Sequence, residues 1–306
     1  MNGAAVGDPV LAAFADEIGP AGPVAVRGGG SQWDVGGPPD SDTRIVDAPS
    51  GIVGRRAEEM VVHARAGTPV AELHAALAEV GQTTALPELP GATVGGTLAV
   101  GRSGIERLGR GQVRDAVLQV RYVSADGRLV TAGGPTVKNV SGFDLCRLLV
   151  GSLGTLGCLG DVILRTRPIP ECRAWFRLDG APPVEVHRAA RTAASILWDG
   201  ATVWLLVAGY EADVSADLDG LTGWEPVPVD GPPTLPPHRW SRRPAELTSL
   251  DGTGPFVAEV GVGVVHASEP DRPRALSPRV AALHRRVADR FDPTGRLNPG
   301  RRPELV

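Results

Sequence analysis

"KNVSGFDLCRLLVGSLGTLG", residues 138–157, decides how this chain is read. It holds Lys138, the only lysine among 306 residues, and Asn139, one of three asparagines. The apolar run that follows predicts a short helix over 145–150. The glycine-spaced "GTLGCLGDVILRTRPIP" then predicts a strand. On composition alone Lys138 reads as a solvated surface amine.

Upstream, "AVLQVRYVSADGRLVTAGG" (116–134) predicts a hairpin, because Asp126-Gly127 favours the positive φ that a tight turn needs. "TPVAELHAALAEVGQ" (68–82) predicts a helix with Thr68 as N-cap, Pro69 in the first turn and Gly81 past the end. Its Val70, Leu73, Leu77 and Val80 recur at helical spacing. A short helix is expected over 9–18. Strands are expected in "VAVRGGGS", "TRIVDAPSGIVG" and "EMVVHARAGT". "LPELPGATVGGTLAVGRSG" (86–104) reads as loop with one helical turn.

After residue 170, "CRAWFRL", "ATVWLLVAGYE" and "GPFVAEVGVGVVHA" predict three strands, and "PPVEVHRAARTAASIL" predicts a helix. "GWEPVPVDGPPTLPPHRWSRRP" (223–244) is proline-rich and predicts little regular structure. "SPRVAALHRRVADRF" predicts a final helix from Ser277-Pro278. The fold class is α+β. The expected divisions are 1–170, a short domain over 171–268, and a C-terminal helix and turn over 269–306.

Composition narrows function. A 42% hydrophobic, 22% charged chain is that of a soluble globular protein. A net charge of −4 and scattered arginines argue against nucleic acid. Three cysteines, Cys146, Cys158 and Cys172, with no CxxC, argue against an iron–sulfur or zinc site and against a disulfide framework. The first residues lack a basic signal-peptide start, and no apolar run reaches membrane-spanning length. A cytoplasmic protein without an integral membrane segment is expected.

"VAVRGGGS" is not a Rossmann fingerprint, since it leads into prolines and not into a helix. Its glycines have two readings. One is a flexible loop; the other is a concave nest of backbone N–H groups for phosphate, helped by Arg27 and Ser31. "TVGGTLAVG" and "GSLGTLG" lie in the same half-chain and could approach the same long ligand. Arg102, Arg107 and Arg110 follow in a glycine-rich stretch, and read either as an anion clamp or as a solvated loop.

The order of "VAVRGGGS", "VVHARAGTPVAELHAAL", "LPELPGATVGGTLAVGRSG", the hairpin, "KNVSGFDLCRLLVGSLGTLG" and "FDPTGRLNPGR" resembles the FAD-binding PCMH-type flavoproteins, the vanillyl-alcohol oxidase superfamily. Within it the chain is most similar to the FAD-binding E subunits of bacterial glycolate oxidases. The resemblance covers about residues 24–170 and the last twenty. It implies a PCMH-type domain of two α+β subdomains, a short α+β cap and a helix returning to the FAD domain. It implies FAD contacts at Arg27, Gly28, Gly29, Gly30, Ser31 and Gln32 around the pyrophosphate. Thr93, Val94, Gly95 and Gly96 would line the ribityl and flavin region, followed by Ser103 and Gly104. Gly154, Gly157 and Leu159 would meet the adenine, and Asn298 the flavin edge. Lys138, Asn139 and Asp144 would form a polar lock behind the adenine site.

Relatives that attach FAD covalently use a histidine in the glycine loop. None stands here, so non-covalent FAD is expected. Related 2-hydroxy-acid dehydrogenases carry a histidine-rich metal site. Here His187, His238 and His266 are widely spaced, so no metal is expected, and only His266 is a catalytic candidate. The resemblance implies a 2-hydroxy acid as substrate, with hydride passing from its α-carbon to flavin N5. It also implies a larger flavoprotein subunit and an iron–sulfur subunit as partners. A non-catalytic FAD-binding scaffold and a self-sufficient flavin oxidase remain alternatives.

Overall fold

The computed structural model describes residues 8–135, 144–250, 254–271 and 276–303. They form two units. The first takes residues up to 103, 112–168 and those from 276; the second takes 104–111 and 169–271.

The first unit opens with α1 (Pro9–Ile18), whose N-cap Asp8 accepts from the N–H groups of Val10 and Leu11 at 3.1 and 3.4 Å. Strands β1 (Val24–Arg27) and β2 (Arg44–Asp47) pair in parallel. Then come β3 (Ile52–Arg56), β4 (Val61–Arg65), α2 (Val70–Ala78), β5 (Gln82–Thr83), α3 (Val94–Val100) and α4 (Arg107–Arg110). The segment closes with β6 (Val117–Val123), β7 (Leu129–Gly133), α5 (Leu145–Leu149), β8 (Cys158–Arg165) and β9 (Arg167–Pro168).

Five strands form an antiparallel sheet in the order β3-β4-β8-β6-β7. The apolar stripes of α2 (Val70, Leu73, Leu77), α3 (Val94, Leu98) and α5 (Cys146, Leu149) pack with Val62, Val120, Val162 and Leu164 in one core. The neighbouring α1 approaches Gly160 of β8, where a Cβ would stand 2.9 Å from Leu11 Cδ2. That coverage explains why β8 is buried from Cys158 to Leu164, without the alternation of a one-sided strand. Asp161, fully buried, accepts from His63 Nε2 at 2.9 Å and from Arg121, which also reaches Asp8 at 3.1 Å.

The helix at 68–82 forms, but its cap differs from expectation. Pro69 is the N-cap residue, and Thr68 instead exchanges 3.0 Å hydrogen bonds with the Gly51 backbone through Oγ1. The hairpin forms with Gly127 at φ 79°. Asp144 caps α5 through the Arg147 N–H at 3.1 Å and pairs with Arg147 Nε at 3.1 Å. Lys138 and Asn139, and so their part of the expected lock, lie outside the described residues.

The second unit comprises β10 (Cys172–Asp179), α6 (Pro183–Ala189), β11 (Ala193–Trp198), β12 (Thr202–Gly209), α7 (Glu211–Asp219), β13 (Val227–Val229), β14 (His238–Ser241), β15 (Phe256–Glu259) and β16 (Val264–Ala267). Its antiparallel sheet runs β13-β10-β12-β11-β15-β16-β14. Here α4 lies on β11, with Gly109 so close that a Cβ would stand 2.7 Å from Ala194 Cα.

Three expectations are corrected in this unit. The helix at 182–197 stops at Ala189, and 193–198 is a buried central strand. The expected third strand, 254–267, is two strands folded back on each other. The proline-rich stretch holds two edge strands, β13 and β14.

The final helix, α8 (Pro278–Phe291), begins at Ser277, whose Oγ accepts from the Val280 N–H at 3.4 Å. Val287 and Phe291 pack against the first unit's core. No helix among the described residues is long and apolar enough to cross a membrane.

Candidate functional site

The first unit contains an open cleft of about 510 Å³, solvent at its mouth included. It is lined by the 28–33 loop with Val26 and Val35, by Thr93, Gly96, Ala99 and Val100 of the α3 segment, and by Leu153, Asn298 and Arg301.

The cleft exists because two glycine-rich backbones touch. A Cβ on Gly29 would stand 2.9 Å from the Gly91 carbonyl carbon, and one on Gly28 3.2 Å from Thr93 Cβ, with Thr93 Oγ1 nearer still. Only glycine permits that approach. Gly30, at φ 72°, faces open space. Among the described residues, the backbone N–H groups of Gly28, Gly29, Gly30, Ser31 and Gln32 make no hydrogen bond. Five consecutive free donors beside a cleft are the makings of an anion nest.

The α3 segment is fixed from behind. Val94 N–H donates to Thr68 O at 2.9 Å, and Gly95 N–H to Ala66 O at 2.6 Å. A Cβ on Gly95 would meet Ala66 Cβ at 2.6 Å. Thr93 caps the helix, its Oγ1 accepting from Gly96 N–H at 3.3 Å.

The C-terminal segment closes the cleft. Leu297 bridges Val24, and Asn298 N–H donates to Val24 O at 2.7 Å. Asn298 is buried and left-handed (φ 48°), and its Nδ2 donates to Gly154 O at 3.1 Å. Arg296 is buried with its guanidinium spent on four carbonyls, those of Gly22, Ala125, Ile18 and Ala21.

The structure brings Gly28, Gly29, Gly30, Ser31, Gln32, Thr93, Gly96 and Asn298 together on the cleft. Other sequence candidates stand apart from its lining. Arg27 is exposed and paired with Asp47 at 3.0 Å. Val94 and Gly95 are buried in the first turn of α3, off the lining. Ser103 accepts from Val113 N–H at 3.2 Å, and Gly104 begins the segment grouped with the second unit. Gly154 meets Asn298, Gly157 abuts the Tyr122 ring, with Cε2 2.9 Å from a would-be Cβ, and Leu159 is core.

His266, in the second unit, places Nε2 2.9 Å from buried Glu259. No group of His, Cys, Asp and Glu among the described residues is arranged to hold a metal. All three cysteines are free thiols.

Sequence reading missed Trp33, Leu153 and Arg301. Arg301 donates from Nη1 to Trp33 O and, at 2.9 Å, to Val35 O. Its guanidinium carbon lies 4.6 Å from the Trp33 ring centroid. No local signal could have found it, because it stands 268 residues from its partner.

Residues 18–133 match the family described as FAD binding domain. The chain is 33% identical over 214 residues to glycolate oxidase subunit GlcE of Escherichia coli, covering 66% of this chain and 61% of that subunit. It is 35% identical over 150 residues to a D-lactate dehydrogenase of Archaeoglobus fulgidus, covering 48% of this chain and 33% of that enzyme. Among solved structures, an alkyldihydroxyacetonephosphate synthase matches with a TM-score of 0.66 at 14% identity, over 90% of this chain and 71% of that one. The chain therefore spans about three fifths and one third of the two curated relatives. The match over residues 18–133 to an FAD binding domain makes FAD the cofactor of that segment. The glycine contact at 28–29, the free N–H groups and Arg301 fit a cofactor that carries a diphosphate.

Proposed function

We propose that the chain is the FAD-binding subunit of a 2-hydroxy-acid oxidoreductase of the glycolate oxidase kind. It works in the cytoplasm with a larger flavoprotein subunit and an iron–sulfur subunit. The observation that carries this reading is the run of free N–H groups from Gly28 to Gln32 on a cleft whose lining holds no carboxylate. Gly28, Gly29, Gly30, Ser31, Gln32, Thr93, Gly96 and Asn298 are its cofactor contacts. The stretch 24–37 has no histidine, so the cofactor is held without a covalent bond. When bound, FAD supplies the acceptor for a hydride from the substrate's α-carbon. The chain's own residues brace the cleft at the buried Asn298–Gly154 contact and would orient the cofactor through backbone donors. Residues 169–271 serve as the substrate or partner domain.

The test is purification with and without candidate partner subunits, followed by flavin spectra during titration with glycolate, D-lactate and L-lactate. Flavin bleaching by one of them in the complex is expected. A chain that takes up no FAD would sink the reading. One observation favours a scaffold role instead: the described lining of the cleft contains no His, Asp or Glu to take a hydroxyl proton. Full activity of a complex assembled around an FAD-free variant would select that role.

A further inference from the structure

Two arginines in the C-terminal segment, five residues apart, are used in opposite ways. Arg296 is buried with Nε, Nη1 and Nη2 all donating to main-chain carbonyls. It is a fully satisfied fastener. Arg301 uses only Nη1, on Trp33 O and Val35 O. Its Nε and Nη2 make no hydrogen bond, and it forms no ion pair, among the described residues. Asp34 acts on it only at longer range.

Arg301 is also the one cation in the cleft's described lining, and no acid stands there to neutralise it. Burial pulls its pKa down, the mark of a guanidinium that has lost water without gaining a counter-charge. The face of Trp33 holds the guanidinium plane in place, so its free edge is pre-set. Arg27, the cation that sequence reading assigned to this loop, is engaged with Asp47.

We propose that Arg301, held against Trp33, is the counter-charge for the diphosphate of the bound dinucleotide, and sets this cleft's preference for a flavin dinucleotide over a flavin without phosphate. The inference rests on the proposed use of the cleft. A carboxylate offers about four acceptor sites. Five backbone donors with a guanidinium edge outnumber them and suit a diphosphate's many oxygens. The backbone donors set shape, and Arg301 adds the full charge that the nest lacks.

The experiment compares wild type with Arg301→Gln and Arg301→Lys, as apoproteins, by titration with FAD, ADP and riboflavin, with melting temperatures alongside. Losing a charge-assisted contact weakens FAD and ADP roughly tenfold to hundredfold in Arg301→Gln. Riboflavin binding stays at the wild-type value while Arg301→Gln melts somewhat lower through loss of the Nη1 bonds to Trp33 O and Val35 O, and Arg301→Lys recovers part of the FAD and ADP loss because it restores charge without the fork. FAD affinity within twofold of wild type in Arg301→Gln overturns the assignment. So does an equal loss for riboflavin and FAD with a lower melting temperature, which marks a purely structural clamp. A wild-type chain that binds neither FAD nor ADP defeats the proposed use of the cleft itself. Normal wild-type binding with an indifferent variant defeats only the role of Arg301.

Discussion

Gly29→Ala tests whether the cleft depends on the close approach of two backbones. The new Cβ would stand 2.9 Å from the Gly91 carbonyl carbon and nearer its oxygen, whereas ordinary contact begins at 3.4 Å. The obstacle cannot swing aside. Gly91 lies in a turn closed by Ala92 N–H to Leu89 O at 3.0 Å, and Val94 and Gly95 are pinned just beyond it. The 28–32 loop must therefore recede by an ångström or more. Overpacking of this kind costs about 1–3 kcal/mol, and main-chain obstruction puts it at the upper end. For a unit of this size that lowers the melting temperature by roughly 6–12 °C.

The effect on FAD is separate. An N–H displaced by an ångström leaves hydrogen-bond range. Loss of two charge-assisted bonds costs roughly 3–6 kcal/mol, which is a hundredfold or more in affinity. Thermal unfolding followed by circular dichroism reads the first effect, and quenching of flavin fluorescence on titration reads the second. Gly54→Ala is the control, since a Cβ there meets nothing and its φ is not in the left-handed region. It should be neutral or stabilising by less than about 1 kcal/mol. A Gly29→Ala protein with wild-type melting and wild-type FAD affinity would refute the close-approach argument. Lost stability with intact FAD affinity would refute the loop's role as a cradle.

Asn298→Gly keeps the left-handed backbone and removes the amide that satisfies Gly154 O, costing about 1–3 kcal/mol in urea unfolding. Asn298→Ala adds the left-handed penalty of about 1–2 kcal/mol, so equal values for the two variants would disprove that strain. Burial alone would raise the Asp161 pKa, but hydrogen bonds and charge from His63 and Arg121 hold it below the usual value. A carboxyl depressed by folding gives stability that is present above its unfolded pKa of about 3.9 and lost as pH falls through its lower folded value. Below about pH 4, stability measured against pH should therefore fall less steeply in Asp161→Asn than in wild type, from a lower plateau. Burial pushes the Cys158 thiol up to about 12, and burial with the Asp144 charge pushes Cys146 up to about 11. Alkylation at pH 8 followed by mass spectrometry should then label only half-buried Cys172 in the native protein and all three thiols after unfolding.

What could be read from sequence was local. The 68–82 helix and the Asp126-Gly127 hairpin announce themselves through periodicity and turn chemistry, which need no distant partner. Strand β11 is the opposite case. "TAASIL" continues a helical register on paper, yet residues 193–197 are all buried between β12 and β15, and a strand covered on both faces shows no alternation. Pairing with two neighbours overrode propensity there. The glycine loops were legible as a candidate site because small residues cluster in the sequence, and the structure brings several of them onto one cleft. Gly157 shows the limit of that signal, since its missing side chain makes room for the Tyr122 ring, and it stands off the cleft's described lining. Arg27 shows another, since adjacency to the glycines did not place its charge on the cleft.

The deeper reason is that a glycine-rich loop cannot order itself. Residues 28–32 gain an open row of donors by lacking side chains, and for the same reason lose the contacts that would hold them still. Order must come from elsewhere, and it comes from the far end of the chain. Asp292 accepts from Leu297 N–H at 2.6 Å, Arg296 fastens the turn to four carbonyls, and Asn298 turns the backbone left-handed. Beyond that turn, Arg301 grips the carbonyls of Trp33 and Val35, and Arg302 N–H donates to Gly36 O at 2.9 Å. On the other side, Asp40 N–H donates to Pro299 O at 3.0 Å. The family match ends at residue 133, yet the loop inside it is braced by residues 292–302. One residue, Arg301, joins the two requirements: it fixes the loop through Nη1 and is the one cation of the cleft's described lining.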